Sequence, residues 1–165
     1  MKKDSTDKRI AFFPGSFDPY TIGHDSIVER ALPLFDEIII AVGINDEKRN
    51  MFSIEERLSS ISELYKNEPK IRVVSYSSLT VEAAQQYNAQ FILRGVRMIQ
   101  DFEFEKNLAE VNRSLSGIET ILLYTLPEQS HISSSIVREL IKYGKDVTTY
   151  LPKGFNLPNK NRSKE

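Results

Sequence analysis

The sequence contains no cysteine, which excludes a disulfide scaffold, a thiol nucleophile and any zinc or iron–sulfur centre with cysteine ligands. Histidine is nearly as scarce. His24 and His131 are the only imidazoles, so a histidine-rich metal site is excluded as well. No apolar run approaches the roughly 18 to 20 residues that a membrane span needs, and the opening MKKDSTDKR carries charge with no apolar signal region behind it. The expectation is a soluble, cytoplasmic protein that meets no membrane. Charge of one sign is not in excess either: 22 Lys and Arg stand against 23 Asp and Glu, a formal net charge of -1. No overall field draws the chain to nucleic acid or an anionic surface, so an anion site has to be local.

What is present is 165 residues with 40% hydrophobic content, enough for one domain with a substantial core. A single domain is expected over residues 1–155, with a flexible tail over 156–165, where Asn156, Asn159 and Asn161 surround Pro158 among charged residues. Short, continuous β-branched runs at residues 10–14, 37–43, 71–76, 91–95 and 120–125 predict five strands buried on both faces. Amphipathic stretches lie between them. Ile27, Val28, Ala31, Leu32 and Phe35 form one apolar stripe that Pro33 should kink or end; Ile54, Leu58, Ile61, Leu64 and Tyr65 form a second, opened by a Ser53/Glu56 capping box. Further helices are predicted over 81–87, about 101–115 and 133–142, the last ended by Gly144. This alternation predicts an α/β fold, a doubly wound, Rossmann-like parallel five-stranded sheet with helices on both faces. In such folds ligands bind beyond the carboxyl ends of the strands, near the point where strand order reverses.

The segments after those strand ends carry the chemistry. In Pro14 to His24, PGSFDPYTIGH, Gly15 permits close backbone approach, Ser16 offers a hydroxyl and His24 stands at a helix start, where partial positive charge collects. The segment reads either as a phosphate site or as a Pro/Gly turn with His24 as a structural cap. Neither G-x-G-x-x-G nor a Walker A loop occurs. Lys48 lies in a charged loop, NDEKRN, of a kind that is often simply solvated. Arg94 ends an apolar strand and needs an anionic partner, either a ligand or one of Asp101 and Glu105. Glu105 falls in a helix whose Phe102, Leu108 and Val111 suggest a buried face. Ser133, Ser134 and Ser135 are more than a helix cap requires.

The run Thr21-Ile22-Gly23-His24 after Gly-Ser-Phe-Asp-Pro resembles the first signature of the T/H-x-G-H nucleotidyltransferase superfamily, and Ile132-Ser133-Ser134-Ser135 resembles its second. Arg94-Gly95-Val96-Arg97 and Asp101-Phe102-Glu103-Phe104-Glu105 narrow the resemblance to the bacterial phosphopantetheine adenylyltransferases, over about residues 9–152. It implies a Rossmann-like homohexamer that transfers AMP from ATP to 4′-phosphopantetheine with Mg²⁺, giving dephospho-coenzyme A and pyrophosphate. Feedback by coenzyme A stays open. The resemblance places His24, Lys48, Arg97 and Ser134 in catalysis. It places Ser16, Phe17, His24, Gly95, Val96, Arg97, Glu105, Gln129, Ser130, His131, Ile132, Ser133, Ser134 and Ser135 at ATP, and Ser16, Lys48, Thr80 and Arg94 at phosphopantetheine. Gln129 and His131 stand where many relatives carry aromatic residues, and Phe104 often has a Tyr counterpart.

The residue chemistry agrees with that reaction. A phosphate monoester is already ionised near pH 7 and needs no general base; it needs in-line placement and donors aimed at the developing charge. Without a carboxylate cluster in the strand-end loops, Mg²⁺ is expected to be held by phosphates and water, with no protein side chain as ligand. Relatives that use CTP or nicotinamide mononucleotide commonly have His where this chain has Thr21. A flavodoxin-like binding module would leave His24 and the ISSS run without a role.

Overall fold

The apolar runs become the strands of one parallel sheet in the computed structural model, which describes residues 8–45 and 49–158. In chain order the elements are β1 (Ile10–Gly15), α1 (Ile22–Ala31), β2 (Glu37–Gly43), α2 (Ile54–Leu64), β3 (Ile71–Tyr76), α3 (Thr80–Gln86), β4 (Phe91–Val96), α4 (Ile99–Ser116), β5 (Glu119–Tyr124) and α5 (Ser134–Lys142). Short 3-10 turns lie at Pro127–Gln129 and Thr148–Tyr150. All four strand pairings are parallel, in the order β3-β2-β1-β4-β5.

The order reverses between β1 and β4, and there the sheet opens. β1 pairs with β2 from Ile10 to Gly15, but with β4 only at Ala11↔Phe91 and Phe12↔Ile92. Beyond that point Pro14 has no N–H to give a ladder, and its carbonyl accepts instead from Arg94 Nη1 at 2.9 Å. A side chain thus bridges strands that have separated, and a crevice forms at their carboxyl ends.

Alternate residues of the central strands feed two cores. Ala11, Phe13, Ile38, Ile40 and Val42 pack with Ile27, Val28 and Ala31 of α1 and Ile61 of α2. Phe12, Ile39, Ala41 and Ile92 pack with Val81, Ala83 and Ala84 of α3 on the other face. Burial on both faces, expected of all five strands, holds for β1 and β2 but not for β3 and β5, which are only partly buried. Both are edge strands, with a neighbour on one side only.

Local signals set most element ends. Ser53 Oγ accepts from Glu56 N at 3.1 Å while Glu56 Oε2 accepts from Ser53 N at 2.8 Å, the reciprocal capping expected of that pair. Helix α1 stops at Ala31, two residues before Pro33. Gly144, at φ 66°, ends α5 with Lys145 N donating to Leu140 O at 2.9 Å. Helix α4 departs from expectation in extent and in orientation. It starts at Ile99, and its buried residues are Glu105 and Asn112, while Phe102 and Val111 are exposed. The ion pair between Glu105 and Arg94 sets which side of the helix faces the sheet, so of the apolar positions taken as its buried face Leu108 is half-buried while Phe102 and Val111 point outward.

Candidate active site

The crevice is a cavity of about 310 Å³ lined by Phe13 to Gly15, Phe17, Thr21, Gly23, His24, Ile27, Arg94, Gly95, Arg97, Asp101, Glu105, Thr125 and Ile132 to Ser135. Its floor depends on one glycine. A Cβ on Gly15 would lie 2.7 Å from Cζ of Phe17, because Phe17, at φ 47°, folds its ring back over the strand end. Phe17 is buried in consequence.

His24 is the third residue of α1. Its Nδ1 accepts from Thr21 N at 3.0 Å and lies 3.0 Å from Thr21 Oγ1. An accepting Nδ1 leaves the ring proton on Nε2, the nitrogen turned away from Thr21. Burial, reinforced by Arg97 and Arg94, pulls the pKa of His24 down to about 3. The imidazole is therefore neutral at pH 7, a hydrogen-bond donor and not a cation. Aromatic rings fix its tilt: Phe17 stands edge-on at a centroid distance of 5.0 Å and Tyr20 lies at 5.3 Å.

Both cavity arginines are paired. Arg94 donates from Nε to Glu105 Oε2 at 2.9 Å and from Nη2 to Oε1 at 2.6 Å, a two-pronged contact with a carboxylate that is 7% exposed. Arg97 donates from Nε to Asp101 Oδ2 at 3.2 Å, and the same oxygen accepts from Arg97 N at 3.1 Å. The second pair is more exposed, at 35% and 26%, so it yields more readily to an incoming anion. The cavity is thus polar and internally balanced, with cations that can change partner.

The third wall is the start of α5. Ser133 caps the helix, accepting from Ile136 N at 3.2 Å. Ser134 lines the cavity, but its hydroxyl donates to Pro19 O at 2.9 Å, which leaves its N–H group, among the unpartnered first donors of the helix, to face an anion.

Of the residues singled out in the sequence, Phe17, His24, Arg94, Gly95, Arg97, Glu105 and Ile132 to Ser135 are brought together. Lys48 lies outside the described residues. Ser16 is exposed and outside the cavity lining, and Val96 is buried in the core. Thr80 Oγ1 sits 3.3 Å from the Tyr76 hydroxyl at the start of α3, away from the cavity. Gln129, Ser130 and His131 form the 3-10 turn and the bend after it, where His131 packs edge-on against Tyr150.

Sequence reasoning missed three supporting residues. Asp18, 3% exposed, accepts from Met51 N at 2.8 Å and Phe52 N at 2.9 Å. Arg57, 4% exposed, donates to Ser16 O at 2.6 Å and to Phe52 O at 3.2 Å. Arg138 donates to Asp18 O at 2.7 Å. Arg57 did carry a signal, since it occupies the i+3 position of the stripe formed by Ile54, Leu58 and Ile61.

Comparison with known proteins agrees with this geometry. Residues 12–140 match the cytidylyltransferase-like family. The phosphopantetheine adenylyltransferase of Bacteroides thetaiotaomicron is 55% identical over 149 residues, 90% of this chain and 99% of that protein. That of Porphyromonas gingivalis is 53% identical over 150 residues, 91% of this chain and 98% of its own length. Among solved structures, a bifunctional NMN adenylyltransferase/ADP ribose pyrophosphatase from Francisella tularensis shares the fold with a TM-score of 0.69 at 14% identity, over 87% of this chain and 45% of that one.

Proposed function

Because the chain belongs to the phosphopantetheine adenylyltransferases, within the cytidylyltransferase-like family, it transfers the adenylyl group of ATP to 4′-phosphopantetheine in coenzyme A biosynthesis, and we propose how its residues do so. The observation that carries the mechanism is the neutral His24, half-buried at the start of α1 where it lines the cavity, with Nδ1 occupied and Nε2 left as donor. The acceptor phosphate is its own nucleophile. It attacks the α-phosphorus, the bond to the bridging oxygen breaks, and pyrophosphate leaves. His24 Nε2–H donates to the phosphate oxygens as charge moves across them, and a preplaced donor of this kind acts with little reorganisation.

Arg97 exchanges Asp101 for the polyphosphate, and the N–H groups of Ser134 and Ser135 complete the anion cradle. The hydroxyl of Ser134 holds α5 to Pro19 O and has a positioning role. The nucleotide side is assigned to Ser16, Phe17, His24, Gly95, Val96, Arg97, Glu105 and residues 129–135; the acceptor side to Ser16, Lys48, Thr80 and Arg94. Arg94 braces the crevice through Glu105 and Pro14 O, and its remaining N–H groups are free for the acceptor.

Mg²⁺ fits this donor set as a cation that enters with ATP. Glu105 is already engaged by Arg94, and among the described residues no three His, Asp or Glu side chains gather to hold a metal. Phosphates and water would hold the ion, which when bound neutralises the leaving pyrophosphate. A homohexamer in the cytoplasm completes the proposal. Its support is the outward apolar face of α4, and no helix among the described residues is long and apolar enough to cross a membrane.

Incubation with Mg²⁺, ATP and 4′-phosphopantetheine, followed by assay of pyrophosphate and dephospho-coenzyme A, tests the reading. Equal release with CTP in place of ATP, or none with ATP, contradicts it.

A further inference from the structure

Three polar groups where α1 meets α2, Tyr20 buried and Asp25 and Tyr65 half-buried, form a chain that the transfer chemistry does not use. Asp25 lies in the first turn of α1, one residue after His24, and Tyr65 caps the C-terminal end of α2. Tyr20 directly precedes the N-cap Thr21. The Tyr65 hydroxyl donates to Asp25 Oδ1, and the Tyr20 and Tyr65 hydroxyl oxygens are 2.8 Å apart. Burial pushes both phenols well above their ordinary range, so both keep their protons. One proton order satisfies all three groups: Tyr20 donates to Tyr65, and Tyr65 donates to Asp25.

The other end of Tyr20 reaches the site. Its ring is fully buried and lies 5.3 Å from the His24 ring at 32°, with Phe17 at 5.3 Å and Phe155 at 6.2 Å. The contact with Thr21 fixes the position of Nδ1, while the tilt of the imidazole about that point is set by the rings it rests on. Tyr20 is such a ring, and its far end is tied through a hydroxyl whose partner among the described residues is Tyr65. Cutting that tie leaves a buried hydroxyl unsatisfied, a cost that drives the ring to shift.

We propose that Tyr65 is a positioning residue for the adenylyl transfer: its hydroxyl, bridging Tyr20 to Asp25, keeps the Tyr20 ring seated against His24 and so keeps Nε2–H directed at the reacting phosphates. Tyr65 is not among the residues that line the cavity and acts through Tyr20. No residue of α2 itself lines the cavity. The inference rests on the role given to His24 above.

Tyr65→Phe removes the hydroxyl and keeps the ring, which meets Tyr20 edge-on. Expected are a kcat lowered about tenfold, KM values for both substrates within about twofold of the parent, and His24 ring ¹⁵N signals that move or broaden. Tyr20→Phe cuts the same chain but leaves no orphaned hydroxyl on that ring, so it should lose less than Tyr65→Phe, and the double variant should match Tyr20→Phe. A parental kcat in Tyr65→Phe with His24 signals unmoved, whatever the change in Tm, overturns the proposal. His24→Ala, assayed alongside, separates the two layers. Parental kcat there defeats the role of His24 itself, whereas a loss there with none in Tyr65→Phe defeats only the role of Tyr65.

Discussion

His24 shows how one half-buried side chain couples chemistry to pH. Its pKa in the folded protein is about 3, against about 6.5 for an exposed imidazole. Above pH 6.5 neither state binds the proton and His24 adds no pH dependence. Between 6.5 and 3 the unfolded chain takes up a proton that the folded chain refuses, so stability falls with pH, by up to about 1.4 kcal/mol per unit. Urea unfolding from pH 8 to pH 5 should show this slope, and His24→Gln should flatten it. A parallel slope in that variant would mean that His24 is not held neutral. Turnover should fall by about 10² in His24→Ala, the scale for losing one transition-state donor.

Arg94 gives a second test at the same scale. Arg94→Ala leaves Glu105 buried and unpaired, at a cost of about 3 to 5 kcal/mol, whereas Arg94→Met with Glu105→Leu should recover most of that stability without restoring acceptor affinity. Thermal unfolding and KM for 4′-phosphopantetheine distinguish the two contributions. Equal Tm in the single and double variants would deny the pair its structural role.

Among the elements, α5 is the one whose placement matters most to the site. Its apolar side packs through Val137, Leu140 and Ile141 against Val147 and Leu151, but its first turns are aimed by two donors. Ser134 Oγ donates to Pro19 O and Arg138 Nη1 to Asp18 O, while the Asp18 carboxylate holds the backbone of Met51 and Phe52. Residues 18 and 19 thus tie the turn after β1, the loop before α2 and the start of α5 into one unit. Arg138→Met keeps the packing stem and loses the donor. It should cost about 1 to 2 kcal/mol and raise KM for ATP several-fold with little change in kcat; an unchanged KM would mean that the apolar side alone aims the helix. Helix α4 teaches the opposite lesson about elements. Its Phe102, Leu108 and Val111 marked an apolar face in the sequence, yet the partner of Glu105 decided which side is buried, since a buried carboxylate is far costlier to leave unpaired than an apolar side chain is to expose.

At the scale of the molecule, Phe104, Val111 and Leu115 of α4, on one side of the helix and each more than half exposed, make assembly the expected state, because monomers seldom leave such a face open. Sedimentation should find a hexamer that Phe104→Glu with Leu115→Glu dissociates; a parental monomer would remove that part of the proposal. The near-zero net charge also takes on meaning at this scale. The anion site that such a charge balance requires to be local is itself balanced before ligand arrives, because the structure pairs Arg94 and Arg97 with carboxylates from α4.

The order of strands and helices, the capping pair at Ser53 and Glu56, the stop at Gly144 and the two motif segments were all legible in the sequence, because each depends on neighbours within a few residues along the chain. Which partners Arg94, Ser134, Arg138 and Tyr65 take was not, since those residues meet theirs across 11, 115, 120 and 40 positions. Only the packing of helices and loops onto the sheet and the resulting direction of each side chain bring them within hydrogen-bonding distance. The sequence by itself determined which chemical groups the site has to work with. The tertiary structure decided which of them are free to act, because hydrogen-bond donors and charges are committed by distances that the spacing of residues along a chain does not encode.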